Sequence, residues 1–129
     1  KGLRFTMLYI TLIGVGGAFG AIARHVVNQM AMTQLNSSLM GTFVVNISGS
    51  FVLGIFAGIL SSYPNLPEET RLFMAVGFLG SYTTFSTFSL ATIQLLEKGD
   101  LFNALINIVS TIIIGLVAAM AGLVIGRAI

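Results

Sequence analysis

Phe85 and Phe88 stand three residues apart inside a run of hydroxyls, Thr83-Thr84-Phe85-Ser86-Thr87-Phe88-Ser89. An aromatic ring has a negative face and a positive edge. Ring edges, hydroxyls and amide N–H groups together make a path for an anion without any fixed charge. A hard, strongly hydrated anion can exchange water for such donors. The alternative at this point is that the two rings simply pack between helices. The run is preceded by Gly77-Phe78-Leu79-Gly80-Ser81-Tyr82. Two glycines and consecutive Ser/Thr residues weaken a helix, because glycine is flexible and the hydroxyls compete for backbone hydrogen bonds. The run lies within an apolar stretch, so the composition predicts a broken helix at membrane depth. Irregular backbone is tolerated there only where protein or a water-filled cavity surrounds it. Such a break exposes backbone carbonyls, which coordinate small hard cations such as Na⁺.

Other polar residues sit where lipid would penalise them. Thr42, Asn46, Gly49 and Ser50 share one helical face, and Asn103, Asn107, Ser110 and Thr111 share another. Small and hydroxyl residues are ordinary material for helix packing in membranes. Asn46 stands out, because a primary amide near the bilayer centre needs partners. Arg24 has two readings, an anchor snorkelling to the headgroups or a positive charge drawing anions to a pore entrance. His25 beside it reads as an interfacial residue. Glu68, Glu69, Glu97 and Asp100 all fall between apolar segments, so no carboxylate is available inside a span for proton coupling. No Ser/His/Asp set, metal cluster or phosphate loop can be assembled, and the chain is not expected to be an enzyme. The absence of cysteine removes disulfides and thiol chemistry.

The elements that must position these residues follow from composition. Of 129 residues, 56% are hydrophobic and 8% charged, against about a quarter charged in a soluble domain. The net charge of +2 comes without a basic, aromatic-interleaved patch, so nucleic acid is not an expected partner. Apolar segments cover residues 5–27, 39–60, 72–96 and 101–125, each near the length of about 20 residues that a spanning helix needs. The connections are expected over residues 28–38, over 61–69 with both prolines, and over 97–100 with Gly99. These segments make one all-α membrane domain over residues 1–129, with four transmembrane helices and the third broken near its middle. Lys1, Arg4, Arg71 and Arg127 fall on one side of the bilayer, and Arg24 and Lys98 on the other. That bias is weak for the positive-inside rule, so either a single orientation or insertion both ways is compatible with it. Gly54 with Gly58, and Gly16 with Gly20, fit a small-xxx-small pattern. That pattern suggests close helix approach, including between subunits.

Several of these elements together resemble the CrcB/Fluc fluoride channels. The resemblance rests on Thr42-Phe43-Val44-Val45-Asn46 with Gly49-Ser50-Phe51, on Gly77-Phe78-Leu79-Gly80, on Thr83 to Ser89 as quoted above, and on Gly20-Ala21-Ile22-Ala23-Arg24. It covers essentially the whole chain. It implies a fluoride-selective channel that lowers cytoplasmic fluoride passively in a bacterial or archaeal plasma membrane. It implies two subunits assembled antiparallel, as a dual-topology homodimer with two pores. A structural Na⁺ at the dimer interface would be held by the backbone carbonyls of Gly80 and Thr83. Phe85, Phe88 and Asn46 correspond to the pore-lining residues, and Arg24 to a vestibule arginine. The hydroxyls of Thr84, Ser86, Thr87, Ser110 and Thr111 are candidates for the polar track. Ser81-Tyr82 departs from the family pattern, where Gly is often followed by a small or apolar residue. Two other readings compete. A small multidrug-resistance type exporter would need an embedded glutamate that the first segment lacks. A non-transporting assembly subunit would explain the packing glycines but not the hydroxyl–Phe run.

Overall fold

The computed structural model describes residues 2–129, with side chains from Thr6 onward. It is almost entirely helical, and no strand occurs among the described residues. Helix α1 spans Gly2–Leu35 and α2 spans Ser38–Ser62. A short α3 (Glu68–Arg71) leads into a π-helical segment, Leu72–Leu79, which continues as α4 (Gly80–Tyr82). After two extended residues, α5 runs over Phe85–Glu97, and α6 over Leu101–Ala128.

Among the described residues, three helices are long and apolar enough to cross a bilayer: α1 from Thr6, α2, and α6; the remaining expected span is the broken third segment. The third segment is cut in two at Thr83 and Thr84. At 1.5 Å per residue the 13 residues of α5 reach only about 20 Å, short of a hydrocarbon core of about 30 Å.

The first connection is shorter than the polar composition of residues 28–38 suggests. The α1 helix continues through Asn28, Gln29 and Thr33 to Leu35. The Thr33 hydroxyl satisfies itself on the carbonyls of Gln29 and Met30, so it does not interrupt the helix. Asn36 then takes the left-handed conformation, φ 50°, one that asparagine tolerates better than most residues. Ser37 caps α2 by accepting from the Met40 N–H at 3.2 Å. At the other tight turn, Gly99 has φ 77°. Its N–H reaches Leu96 O and the Asp100 N–H reaches Leu95 O, both at 2.9 Å, the paired bonds of a Schellman ending. Asp100 caps α6 through Asn103, which donates from its backbone at 3.1 Å and from its side chain at 2.7 Å. These bonds hold the Asp100 carboxyl below its ordinary value.

Two close packings organise the bundle. Between α2 and α6, a Cβ on Gly54 or Gly58 would collide with the α6 backbone at Ala119, Leu123 or Gly126. One on Gly122 or Gly126 would collide with α2 at Phe51 or Ile55. Between α1 and the π-helical segment, Gly16 and Gly20 meet the backbone of Phe73 and Phe78. Both small-residue pairs therefore join helices of one chain, where the sequence pattern left contacts between subunits open. At one end of the bundle, Ser62 and Tyr63 donate to the carbonyls of Arg127 and Ile129, and Tyr9 donates to Glu68. This end brings the α2–α3 link and the end of α6 together, with Tyr9 tying α1 to α3. Much of the apolar surface stays uncovered, including Phe102 on α6 at 73% exposure. A surface facing lipid tolerates such exposure, and water would penalise it.

Candidate functional site

The break begins where a helical bond is diverted. Thr83 still follows the helix, with its N–H on Leu79 O at 3.1 Å and its hydroxyl on the same oxygen at 3.0 Å. The next N–H, of Thr84, would close the following turn onto Gly80 O. It goes instead to Asn46 Oδ1 of α2, at 2.8 Å. Asn46 Nδ2 in turn donates to Thr84 O at 3.1 Å. One amide side chain thus satisfies both backbone groups of Thr84, as a neighbouring strand would. Thr83 (ψ 157°) and Thr84 (φ −151°, ψ 113°) are accordingly extended. Thr84 is buried, and losing both partners would cost about 1–3 kcal/mol for each orphaned group. The partners that Asn46 needed are therefore the backbone of the break itself.

Restarting the helix requires a cap, and Thr84 provides it. Its Oγ1 accepts from the Thr87 N–H at 3.3 Å. The same hydroxyl donates to Thr87 Oγ1 at 3.0 Å and lies 3.3 Å from Ser86 Oγ. Phe85 and Phe88 then project from the first turn of α5, ring centroids 5.8 Å apart and planes at 42°. Phe88 is buried at 9% exposure, while Phe85 is 79% exposed. Phe88 O accepts from Thr92 Oγ1 at 2.8 Å, and Thr92 Oγ1 accepts from Asn107 Nδ2 of α6 at 2.9 Å. That relay fixes the turn carrying Phe88 to α6.

A cavity of about 270 Å³ opens at this point, lined by Asn46, Ser50, Leu53, Thr83, Thr84, Phe85, Phe88, Thr111 and Ile112. Its lining bears no charged side chain. Thr111 Oγ1 is buried without a hydrogen-bond partner among the described residues. An orphaned buried hydroxyl beside a cavity is a group awaiting a ligand or water. Asn46 has two amide hydrogens, and its one donated bond among the described residues, to Thr84 O, uses a single one of them.

Of the residues singled out from sequence, the cavity collects Asn46, Thr83, Thr84, Phe85, Phe88 and Thr111. Ser86 and Thr87 are exposed and join it only through the Thr84 hydroxyl. Ser110 faces elsewhere. Its hydroxyl turns back to Ile106 O at 2.6 Å, and the residue lines a separate apolar groove with Phe102, Leu105 and Ile113. One residue along a helix is a turn of about 100°, so Ser110 and Thr111 cannot share a direction. Arg24 lies inside α1, which continues to Leu35, and is half-buried. Ser50 and Leu53 were not among the sequence candidates for the cavity. The polar face shared by Thr42, Asn46, Gly49 and Ser50 was the signal for Ser50, and apolar Leu53 gave none.

The carbonyls at the break suit a hard monovalent cation. Gly80 O has lost the donor that would have occupied it, and Gly80 is exposed. The oxygens there are neutral, and no group of three or more His, Cys, Asp or Glu side chains exists among the described residues. Neutral carbonyl oxygens favour ions of the Na⁺ or K⁺ type.

A family model for CrcB-like protein, Camphor Resistance (CrcB), matches residues 11–123. Three curated relatives carry the name fluoride-specific ion channel FluC. The protein from Nitrobacter winogradskyi is 38% identical over 122 residues, 94% of this chain and 97% of its own. The one from Magnetococcus marinus is 38% identical over 123 residues, 95% of this chain and 100% of its own. That from Rhizobium etli is 40% identical over 124 residues, 95% of this chain and 99% of its own. The name is that of a channel and not of an enzyme, as the missing catalytic sets had led us to expect. The long apolar helices are those of a multi-pass membrane protein. With a family model spanning most of its length and relatives matched nearly end to end, the chain belongs to the CrcB-like family.

Proposed function

We propose that this chain conducts fluoride passively across a bacterial or archaeal plasma membrane, lowering its cytoplasmic concentration. The observation that carries this reading is the uncharged cavity at the helix break, where two phenylalanine rings, an asparagine amide and an unpaired threonine hydroxyl converge. Such a lining supplies positive ring edges and weak donors. A small anion can leave its water for them, yet nothing binds it so tightly that it stops, the balance that conduction requires. Larger, more diffuse anions lose their water at lower cost but gain less from the same donors.

The residues divide the work. Asn46 holds the backbone of Thr84 and keeps one N–H for the ion. Phe85 and Phe88 present their edges. Thr111 offers its hydroxyl from α6. Ser86 and Thr87 extend the hydroxyl track beyond Thr84, and Arg24 raises the local anion concentration. Phe85 is too exposed to act alone. A second copy in antiparallel orientation would cover it and complete the pathway, with the carbonyls of Gly80 and Thr83 from both copies holding Na⁺ between them. That ion would supply fixed positive charge beside an otherwise neutral site.

The test is fluoride efflux from liposomes holding the purified chain, read with a fluoride electrode against a chloride control. Rapid efflux of fluoride and not chloride is expected. Folded protein with no efflux overturns the reading.

A further inference from the structure

Tyr82 is the last residue before the break. Its ring stacks on Phe78, one turn earlier, with centroids 6.0 Å apart and planes within 5°. Its far side meets α2 at Gly49, where a Cβ would come within 3.2 Å of Tyr82 Cδ1 and collide with the Thr83 methyl. Its hydroxyl lies 2.9 Å from Ser48 Oγ, also on α2. The direction of that bond follows from counting protons. Ser48 has one hydroxyl hydrogen, directed at Val44 O at 2.6 Å, with Val45 O at 3.3 Å as a weaker second acceptor. Tyr82 is therefore the donor and Ser48 Oγ the acceptor.

Two tethers thus run from α2 to the break. Ser48 holds Tyr82, and Asn46 holds Thr84. Thr83 lies between the two held residues, and Gly49 gives it room. No side chain on α2 needs to touch Thr83 for its position to be set, because the residues on both sides are pinned to the same helix.

We propose that Tyr82 and Ser48 are positioning residues for the cation at the break: their hydrogen bond fixes the Thr83 backbone, and so the carbonyl that is offered to Na⁺. The inference rests on the Na⁺ reading given above. It assigns a task to a side chain that neither lines the cavity nor meets the ion.

The experiment uses the full-length chain, its Tyr82→Phe and Ser48→Ala variants, and the double variant. The melting temperature in detergent is followed as Na⁺ replaces choline, with no fluoride present. Fluoride efflux is measured at the same Na⁺ concentrations. Losing one net hydrogen bond should raise the half-saturating Na⁺ concentration about fivefold in each single variant. The double variant should be no worse than either single one, because one bond is lost in all three. The melting temperature without Na⁺ should fall only slightly, by the one bond lost, and efflux should recover at saturating Na⁺. A merely structural role would lower the Na⁺-free melting temperature and leave the Na⁺ midpoint in place, and that result overturns the proposal. Additive shifts overturn it too, since the hydroxyls would then act separately. If Tyr82→Phe fails to fold, Ser48→Ala removes the same bond from the other side and decides the matter. A wild-type chain that passes fluoride but does not respond to Na⁺ overturns the cation reading and the positioning role together. Wild-type Na⁺ stabilisation with an unmoved midpoint in the variants overturns the positioning role alone.

Discussion

Between α2 and α6 the chain meets itself backbone to backbone, at Gly54 and Gly58 on one helix and Gly122 and Gly126 on the other. At the break, contact with the same α2 is made through side-chain amides and hydroxyls, Asn46 to Thr84 and Ser48 to Tyr82. The first contact is apolar, close and indifferent to chemistry so long as nothing protrudes. The second is chemically specific and depends on individual hydrogens. In lipid, where no hydrophobic driving force separates helix from solvent, close packing and interhelical hydrogen bonds are the two available kinds of glue. This chain uses one for its frame and the other for its site. A methyl group should disrupt the frame, and the loss of an amide should disrupt the site.

The largest effect is expected from Gly122→Val. Its side chain would be driven into the α2 backbone at Phe51 and Ile55, and overpacking of this kind costs about 3 kcal/mol or prevents assembly. A collapse of the melting temperature, or no recoverable folded protein, is expected. A stable variant would show that the α2–α6 contact tolerates separation. Asn46→Asp comes next and attacks the site alone. It keeps an acceptor for the Thr84 N–H, loses the donor to Thr84 O, and sets a negative charge in the proposed anion path. Fluoride efflux should fall roughly tenfold or more, with the helical content retained. Efflux at the wild-type rate would reduce Asn46 to a packing residue.

The smallest effects belong to the rings. Phe88→Ile and Phe85→Ile each remove one set of positive edges, and each should slow efflux roughly fivefold. The pair sharpens the comparison, because Phe88 is buried in its own chain and Phe85 is not. Phe88→Ile should also lower the melting temperature by the loss of packed area, whereas Phe85→Ile in the isolated chain should not. Equal melting shifts in liposome-extracted protein would mean that Phe85 is buried too, by something outside the single chain.

The position of the break could be read from residues Gly77 to Ser89, because glycines and clustered hydroxyls announce a backbone that will not stay helical. The need of Asn46 for partners could be read as well. The identity of those partners could not, since Thr84 is 38 residues away and only the packed fold sets them face to face. Asn28 to Leu35 looked like a link because its polar residues were read by composition. In the folded chain they continue α1, and Thr33 looks after its own hydroxyl. Asn103 and Asn107 share one helical face with Ser110 and Thr111 in the sequence, and only the last two are candidates for the polar track. The first is committed to the α6 cap, the second to Thr92, and Ser110 to its own helix. Only Thr111 of the four faces the cavity. Periodicity located the face, and hydrogen-bond competition decided which of its members remain free. The π-helical turns of Leu72–Leu79 left no mark in the sequence pattern, since their apolar residues suit any helix.

The cavity lining consists of amide, hydroxyl, aromatic and aliphatic groups. None of them gains or loses a proton between strong acid and strong base. The site is therefore the same object in an acidified medium as in an alkaline one, with no built-in sense of the proton gradient across its membrane. On the proposed reading, a cell that carries it has a route for fluoride down its own gradient and no means, at this site, of spending that gradient on anything else or of shutting the route when the pH changes.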